Sequence, residues 1–426
     1  MVDVKPFEAI RYTKKAGDPG SLITQPYDKI DSEMQKEYYL KSPYNYCRLI
    51  LPMEDNKYQV VEQRIEQWLK DNILIKENEP VILVSRQEFA LETEKYERTG
   101  IIAALRLYDY SENIVFPHEF TYSAPKIDRL NMLRTVQKDL EPVFLIYSDP
   151  ERKTLEFLQE VTKTIPIIQV TDSLNVKHTV WKVTNHQKIR QLQTALKNIT
   201  MVITDGHHRY ESALAYRDEM RKKTGWTEDS AFNFHMSYMV PVQEKGLVVL
   251  PTHRLLKKFK LTPEVLDMLK CFFDVSEINP TLEALDSYLK NHVREHALCV
   301  YDGAKAYGLS LKHDKHVYDY VNANVSNETK IFDVVILRDI IFKHILNTGQ
   351  LKIDENIVYA RWTSEAVEKV NRGEASIAFL VNPISAQTVA EIAQQHELLP
   401  EKSTDFYPKM VSGLMMMDIS DNVRLN

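Results

Sequence analysis

Apolar positions along the chain switch between two spacings, and the switches mark out its elements. VVEQRIEQWLKDN (residues 60–72) carries apolar residues at helical spacing, while PVILVSRQEFAL and TGIIAALRLYDYS read as two strands around a turn. NIVFPHEFTYSAPKIDRLNMLRTVQKD runs from a strand through Pro117-His118-Glu119 into a helix starting near Ala124 or Pro125. EPVFLIYS is a buried strand and HQKIRQLQTALKN an amphipathic helix. ITMVITDGHHRYESALAYRDEMRKK passes from strand to loop to helix, and FNFHMSYMVPV is a further strand. Beyond Lys260 come helices in PEVLDMLKCFF and LEALDSYLKNHV and strands in ALCVYDG, AYGLSLK and SIAFLVNP. LLPEKSTDFYPKMVSGLMMMDIS reads as a loop followed by a strand, with Met415, Met416 and Met417 in core or interface packing. The pattern predicts a mixed α/β (α+β) chain with an N-terminal α/β unit over residues 1–100, a central block over 101–260 and a C-terminal α/β domain over 261–426, whose polar loop returns to the active site.

A chain of 426 residues, 44% of them hydrophobic, can bury a large core. The charged fraction of 27% mixes both signs, and a formal net charge of -6 leaves no basic field for a polyanion, which disfavours nucleic acid as a partner. Cys47, Cys271 and Cys299 are far apart and lack CxxC spacing, so they read as buried, reduced thiols. MVDVKPFEAIRY has no basic stretch followed by an apolar one, and no window reaches the length that spans a bilayer. A cytoplasmic location without a membrane partner is the expectation.

The sharpest local signal is MVITDGHHRYESALAY. An apolar run delivers the chain to one glycine, one of only 11 in the chain, and a helix begins just beyond it. Helix N-terminal amides and the helix dipole attract phosphate; Arg209 can add a bidentate guanidinium, His207 or His208 further donors, and Gly206 a close backbone approach. A plainer reading has Asp205 capping the helix, Arg209 pairing with a carboxylate and the histidines satisfied at a surface turn. Five special residues in one turn favour the anion site.

Pro117-His118-Glu119 is a second cluster, ahead of the helix that carries Lys126, Asp128 and Arg129. Glu119 reads equally as a general base, its pKa raised by partial burial, or as a helix-start glutamate favoured by the dipole. Zinc on His207, His208 and His118 is disfavoured, because an arginine in the same loop repels a metal ion. Gly-x-x-x-x-Gly-Lys and Gly-x-Gly-x-x-Gly are both absent, which excludes a P-loop and a dinucleotide fingerprint. Gln25-Pro26-Tyr27-Asp28, Pro251-Thr252-His253-Arg254 and Lys402-Ser403-Thr404 have structural explanations: turns shaped by proline, a solvated strand end, a surface loop.

With QPYDKI, FPHEFT, KIDRLNML, DGHHRYE, LPTHRLL and PEKSTDFYPKMVSGL, the whole chain resembles the family called domain of unknown function 1015. Residues 101–413 are also similar to archaeal free serine kinases of the ParB and sulfiredoxin superfamily, where a PHE turn precedes a helix and a DGHHR loop follows. NRGEASIAFLVNP and LLPEKST resemble the tail of those kinases. The resemblance implies a ParB/sulfiredoxin-like catalytic core at 101–260. It implies Glu119, Asp205 and His208 as catalytic residues; Gly206, His207, His208 and Arg209 as the phosphate loop; Asp205 as the Mg2+ ligand; and Lys402 and Thr404 at the substrate. Where those kinases continue with an Arg-His pair, this chain has Asp405 and Phe406, and its first hundred residues have no counterpart there.

The function expected is a kinase that uses ATP or ADP with magnesium to phosphorylate a small alcohol, free L-serine or a similar hydroxylated amino acid, with Glu119 as base. Its partners are a nucleotide and a small-molecule substrate. Two rivals are a non-catalytic, nucleotide-responsive ParB-like binding protein, against which the net acidity speaks, and a phosphohydrolase.

Overall fold

The two strand patterns between Val81 and Leu107 fold as a hairpin, Ile82–Leu91 (β2) and Glu94–Arg106 (β3), joined at Glu92, which takes φ 52°. The computed structural model describes residues 1–119, 123–223, 225–312, 315–321, 325–347 and 356–425. Phe120 and Thr121 of FPHEFT lie outside them. The chain forms two units. The first comprises Met1–Pro117, Thr121–Val248 and Pro408–Asn426, and the second His118–Phe120 and Val249–Tyr407.

In the first unit the hairpin joins Val4–Lys5 (β1), Val115–Phe116 (β4), Val143–Tyr147 (β5), Ile168–Thr171 (β6), Lys177–Val183 (β7), Met201–Asp205 (β8) and Phe234–Pro241 (β9). The nine strands run in the order β4-β8-β5-β9-β3-β2-β7-β6, with β1 paired to the end of β3. β8 pairs parallel to β4 and antiparallel to β5, and β9 parallel to β5. Every residue of β5 and β9 is buried; β5 accordingly reads as an unbroken apolar run, while β9 takes His235 and Ser237 inside with its apolar residues. Helices Ser32–Lys41 (α1), Lys57–Lys70 (α2), Ser123–Val136 (α3), Lys153–Val161 (α4), His186–Leu196 (α5) and His207–Arg221 (α6) accompany the sheet. Val61, Ile65 and Trp68 of α2 share a core with Met132 and Val136 of α3 and with Met416. Ser212 of α6 donates to the Lys126 carbonyl of α3 at 2.9 Å.

The second unit holds a six-stranded sheet of His253–Leu256 (β10), Phe273–Ile278 (β11), Ala297–Tyr301 (β12), Ala306–Leu311 (β13), Ile357–Ala360 (β14) and Ile377–Leu380 (β15). Its order is β11-β13-β12-β15-β10-β14, antiparallel throughout. Helices Pro263–Phe272 (α7), Leu282–Asn291 (α8), Thr363–Asn371 (α9) and Ala386–Gln394 (α10) belong to it. Leu285 and Leu289 of α8 and Ala366 and Val370 of α9 pack with Cys299, Tyr301, Ala378 and Leu380 of the sheet.

The chain thus adopts the mixed α/β class read from its pattern. The boundary drawn at residue 100 falls inside β3, whose two ends serve one sheet. Cys47 and Cys299 are buried, but Cys271 is exposed, because α7 turns Leu269 and Phe272 inward and leaves Cys271 outside. His253 and Arg254 do not sit on a solvated strand end: they are 1% and 4% exposed within β10. Met415, Met416 and Met417 are buried, as packing residues should be. No helix among the described residues is long and apolar enough to cross a membrane.

Candidate functional site

The apolar run Met201–Thr204 is buried in β8, and its end is reshaped by a bulge. The register against β5 shifts between Ile203 and Asp205, and the Thr204 hydroxyl donates to the Phe144 carbonyl at 3.0 Å. Gly206 follows at φ 89° and ψ 28°. A Cβ there would stand 2.8 Å from Nε of Arg209, so both the left-handed backbone and the close approach of the guanidinium require glycine. α6 starts at His207 and receives no side-chain cap from Gly206. The amides of a helix's first turn have no acceptor inside the helix, and the dipole adds partial positive charge there.

Asp205 is not the helix cap. Its Oδ2 takes Nη2 of Arg209 at 2.6 Å and its Oδ1 takes Nζ of Lys409 at 2.9 Å. Burial opposes the charge of this carboxyl, but Lys409 first and Arg209 next outweigh it and hold the group well below the usual carboxylate range. The plainer reading is therefore met in one respect: Arg209 does pair with a carboxylate, and it also donates to the Pro142 carbonyl. His207 and His208 stand partly exposed in the first turn.

Lys409 lies within PEKSTDFYPKMVSGL, but nothing in that stretch alone gives it a role. It is 8% exposed and held by its backbone. Gln87 Nε2 donates to its carbonyl at 3.0 Å, and Arg98 donates to the carbonyl of Pro408. Arg98 is fully buried, with Nε 3.2 Å from Gln87 Oε1 and its guanidinium 4.8 Å over the Phe144 ring. The available signals are a charged residue in each of two apolar stretches, Lys409 ahead of MVSGLMMM and Arg98 ahead of TGIIAAL.

The QPYD stretch belongs to the same unit and makes a short turn, Tyr27–Lys29. The Tyr27 amide donates to Glu141 Oε1 at 3.1 Å, the Ser412 hydroxyl donates to the same oxygen at 2.6 Å, and Arg129 lies 4.2 Å over the Tyr27 ring. Burial pushes the Tyr27 phenol up to about 12 against the pull of Arg209 and Arg129.

Glu119 lies in the second unit with the other predicted substrate residues. Its Oε1 accepts from the Ser403 amide at 3.0 Å, the Thr404 amide at 3.2 Å and the Thr404 hydroxyl at 3.2 Å. His118 Nε2 is 2.7 Å from that hydroxyl; since Thr404 donates to Glu119, Nε2 carries the proton that Thr404 accepts. Lys402 is exposed at φ 57°, and Arg254 fixes the loop from behind by donating to the Lys402 carbonyl at 3.2 Å. Asp405 is engaged by Arg361. Glu119 is thus a carboxylate oriented by the amides of Ser403 and Thr404. The structure places Glu119, Lys402 and Thr404 together in one unit and Asp205 to Arg209 together in the other. No group of three or more His, Cys, Asp or Glu among the described residues could hold a metal ion.

The model of a family described as "Protein of unknown function (DUF1015)" matches residues 4–335. The chain belongs to this family. The DUF1015 match includes the DGHHR loop and Glu119 and stops before Lys402 and Lys409. Comparison with curated proteins finds no match. Among solved structures, this DUF1015 chain is similar to a free serine kinase in complex with AMP, at 14% identity and a TM-score of 0.38, over 75% of this chain and 91% of that one. It is also similar to a conserved hypothetical protein from Pyrococcus furiosus, at 14% identity and a TM-score of 0.34, over 74% and 95%. A third is SbnI with C-terminal truncation from Staphylococcus aureus, at 8% identity and a TM-score of 0.34, over 75% and 87%.

Proposed function

We propose that the protein is a nucleotide-dependent phosphotransferase with a small alcohol as acceptor, free L-serine or a similar hydroxylated amino acid. One observation carries this reading: a buried strand ends in a bulge and a left-handed glycine, and that glycine opens a helix whose first turn is flanked by Arg209 and Lys409. Amides, dipole and two cations make that turn a cradle for phosphoryl oxygens, with His207 and His208 as further donors. Phosphoryl transfer is catalysed chiefly by placing such groups around the phosphates and an acceptor beside the nucleophile. Glu119 is the acceptor for the hydroxyl proton, with its carboxylate held by three donors, and Lys402 and Thr404 face the substrate.

Both oxygens of Asp205 are committed to cations, so the residues present do not fit a resident metal ion. Magnesium belongs here as part of the substrate, carried on the phosphates of ATP or ADP. Incubating the protein with ATP or ADP, magnesium and a panel of small alcohols, and following phosphorus-31 signals, tests the reading. A new phosphomonoester with loss of the donor's terminal phosphate supports it. Release of inorganic phosphate whatever the alcohol makes the protein a phosphohydrolase, and an unchanged donor with every acceptor overturns the reading.

A further inference from the structure

The contact between Lys409 and Asp205 joins residues far apart in sequence, and it lies in the first unit. Three features define it. First, the lysine is delivered there by design of the backbone: Arg98 and Gln87, on the two strands of the β2–β3 hairpin, hold the carbonyls of Pro408 and Lys409. Second, one carboxylate faces two cations, with Arg209 on one oxygen and Lys409 on the other, and Lys29 adds a third positive charge acting on it. Third, all three side chains are at least partly withdrawn from water, at 13% exposure for Asp205, 8% for Arg209 and 7% for Lys409. Water screens charge poorly in such a place, so although Glu141 and Asp28 also act on Arg209, a cation that gives up its carboxylate there attracts an anion strongly.

We infer that Lys409 is a further anion-binding residue of the phosphate loop, parked on Asp205 and taken over by a phosphoryl oxygen when a nucleotide binds. This rests on the phosphate reading of the loop and adds a ligand from outside the loop. An ammonium group can exchange one oxygen partner for another without loss of charge pairing, because its three donors rotate on a flexible stem. Asp205 then acts as a placeholder for the phosphate: it keeps the lysine extended and charged while the loop is empty.

The test compares the full-length protein with Lys409→Arg, Lys409→Met and Asp205→Asn by calorimetric titration with magnesium-free ATP and with inorganic phosphate, alongside unliganded melting curves. Lys409→Met is expected to weaken ATP by roughly 10- to 100-fold, the scale of one hydrogen bond to a charged group, and Lys409→Arg to stay within a few fold. Asp205→Asn frees the lysine from its placeholder and should tighten inorganic phosphate severalfold, a gain that disappears in the Asp205→Asn/Lys409→Met double variant. A lysine with only a structural role would lower the melting temperature in Lys409→Met and leave both affinities in place. If the unmodified protein binds ATP and Lys409→Met binds it equally well, the inference is overturned and the phosphate loop stands. If the unmodified protein binds neither ATP, ADP nor phosphate, the loop reading falls and the inference with it. Should Lys409→Met fail to fold, Asp205→Asn decides: tighter phosphate supports the inference, and unchanged or weaker phosphate overturns it.

Discussion

Two residues of the second unit have consequences that can be measured directly. Glu119 holds its carboxylate on the amides of Ser403 and Thr404, so Glu119→Gln keeps the shape of the group and removes the proton acceptor. Turnover should fall by a factor on the order of 100 to 10,000 with nucleotide affinity nearly unchanged. Loss of nucleotide binding instead would move Glu119 to the phosphate shell. His253 is a different case. Its Nδ1 accepts from the Val381 amide at 3.2 Å, and burial, helped by Arg254, depresses its pKa from the ordinary 6.5 to about 4. The unfolded chain therefore takes up a proton near pH 6.5 that the folded chain refuses until about pH 4. The stabilisation this gives is complete above pH 6.5 and is lost as pH falls toward 4, and it is worth about 3 kcal/mol at that shift. Denaturant midpoints between pH 7 and 4 should fall in the unmodified protein and show a flatter profile in His253→Gln.

At the scale of elements, the pattern of apolar residues carried most of the information. The hairpin, the DGHHR strand, loop and helix, and the helices of the second unit all form where period two or period 3.6 predicts them. What stayed illegible was long-range pairing. Lys409 has no legible role in its stretch until the fold supplies Asp205, Gln87 and Arg98 around it. The orientation of Glu119 was equally hidden, since its donors come from a loop near the other end of the sequence. Arg98 shows how strongly such pairing is built in. Arg98→Met leaves Gln87 Oε1 and the Pro408 carbonyl without this donor inside the protein, at a cost of about 1–3 kcal/mol for each unsatisfied group. Equilibrium denaturation should show that loss, and ATP titration of the same variant should show weaker binding, because the backbone of Lys409 has lost an anchor.

For the whole molecule, the first unit is assembled from three separate stretches, and the last of them is Pro408–Asn426. This tail buries Val411, Leu414, Met415, Met416, Met417, Ile419 and Leu425, and pairs Met417 and Asp418 with Lys138 and Asp139. Deleting Pro408–Asn426 should abolish cooperative unfolding of the first unit, seen as a broad far-ultraviolet melt and uptake of a hydrophobic dye. A tail that merely decorates the surface would leave the melt sharp.

The same arrangement sets an order of events during synthesis. A ribosome delivers the chain from its first residue onward, and domains close as their parts emerge. Here the strands of the large sheet are all translated by Pro241, yet Arg98 waits for the Pro408 carbonyl and Asp205 for Lys409 until the whole second unit has been made. The unfinished unit spends that interval with buried charge exposed and apolar surface uncovered. Slow codons or a chaperone that shields the nascent sheet would therefore change the yield of this protein more than its final stability.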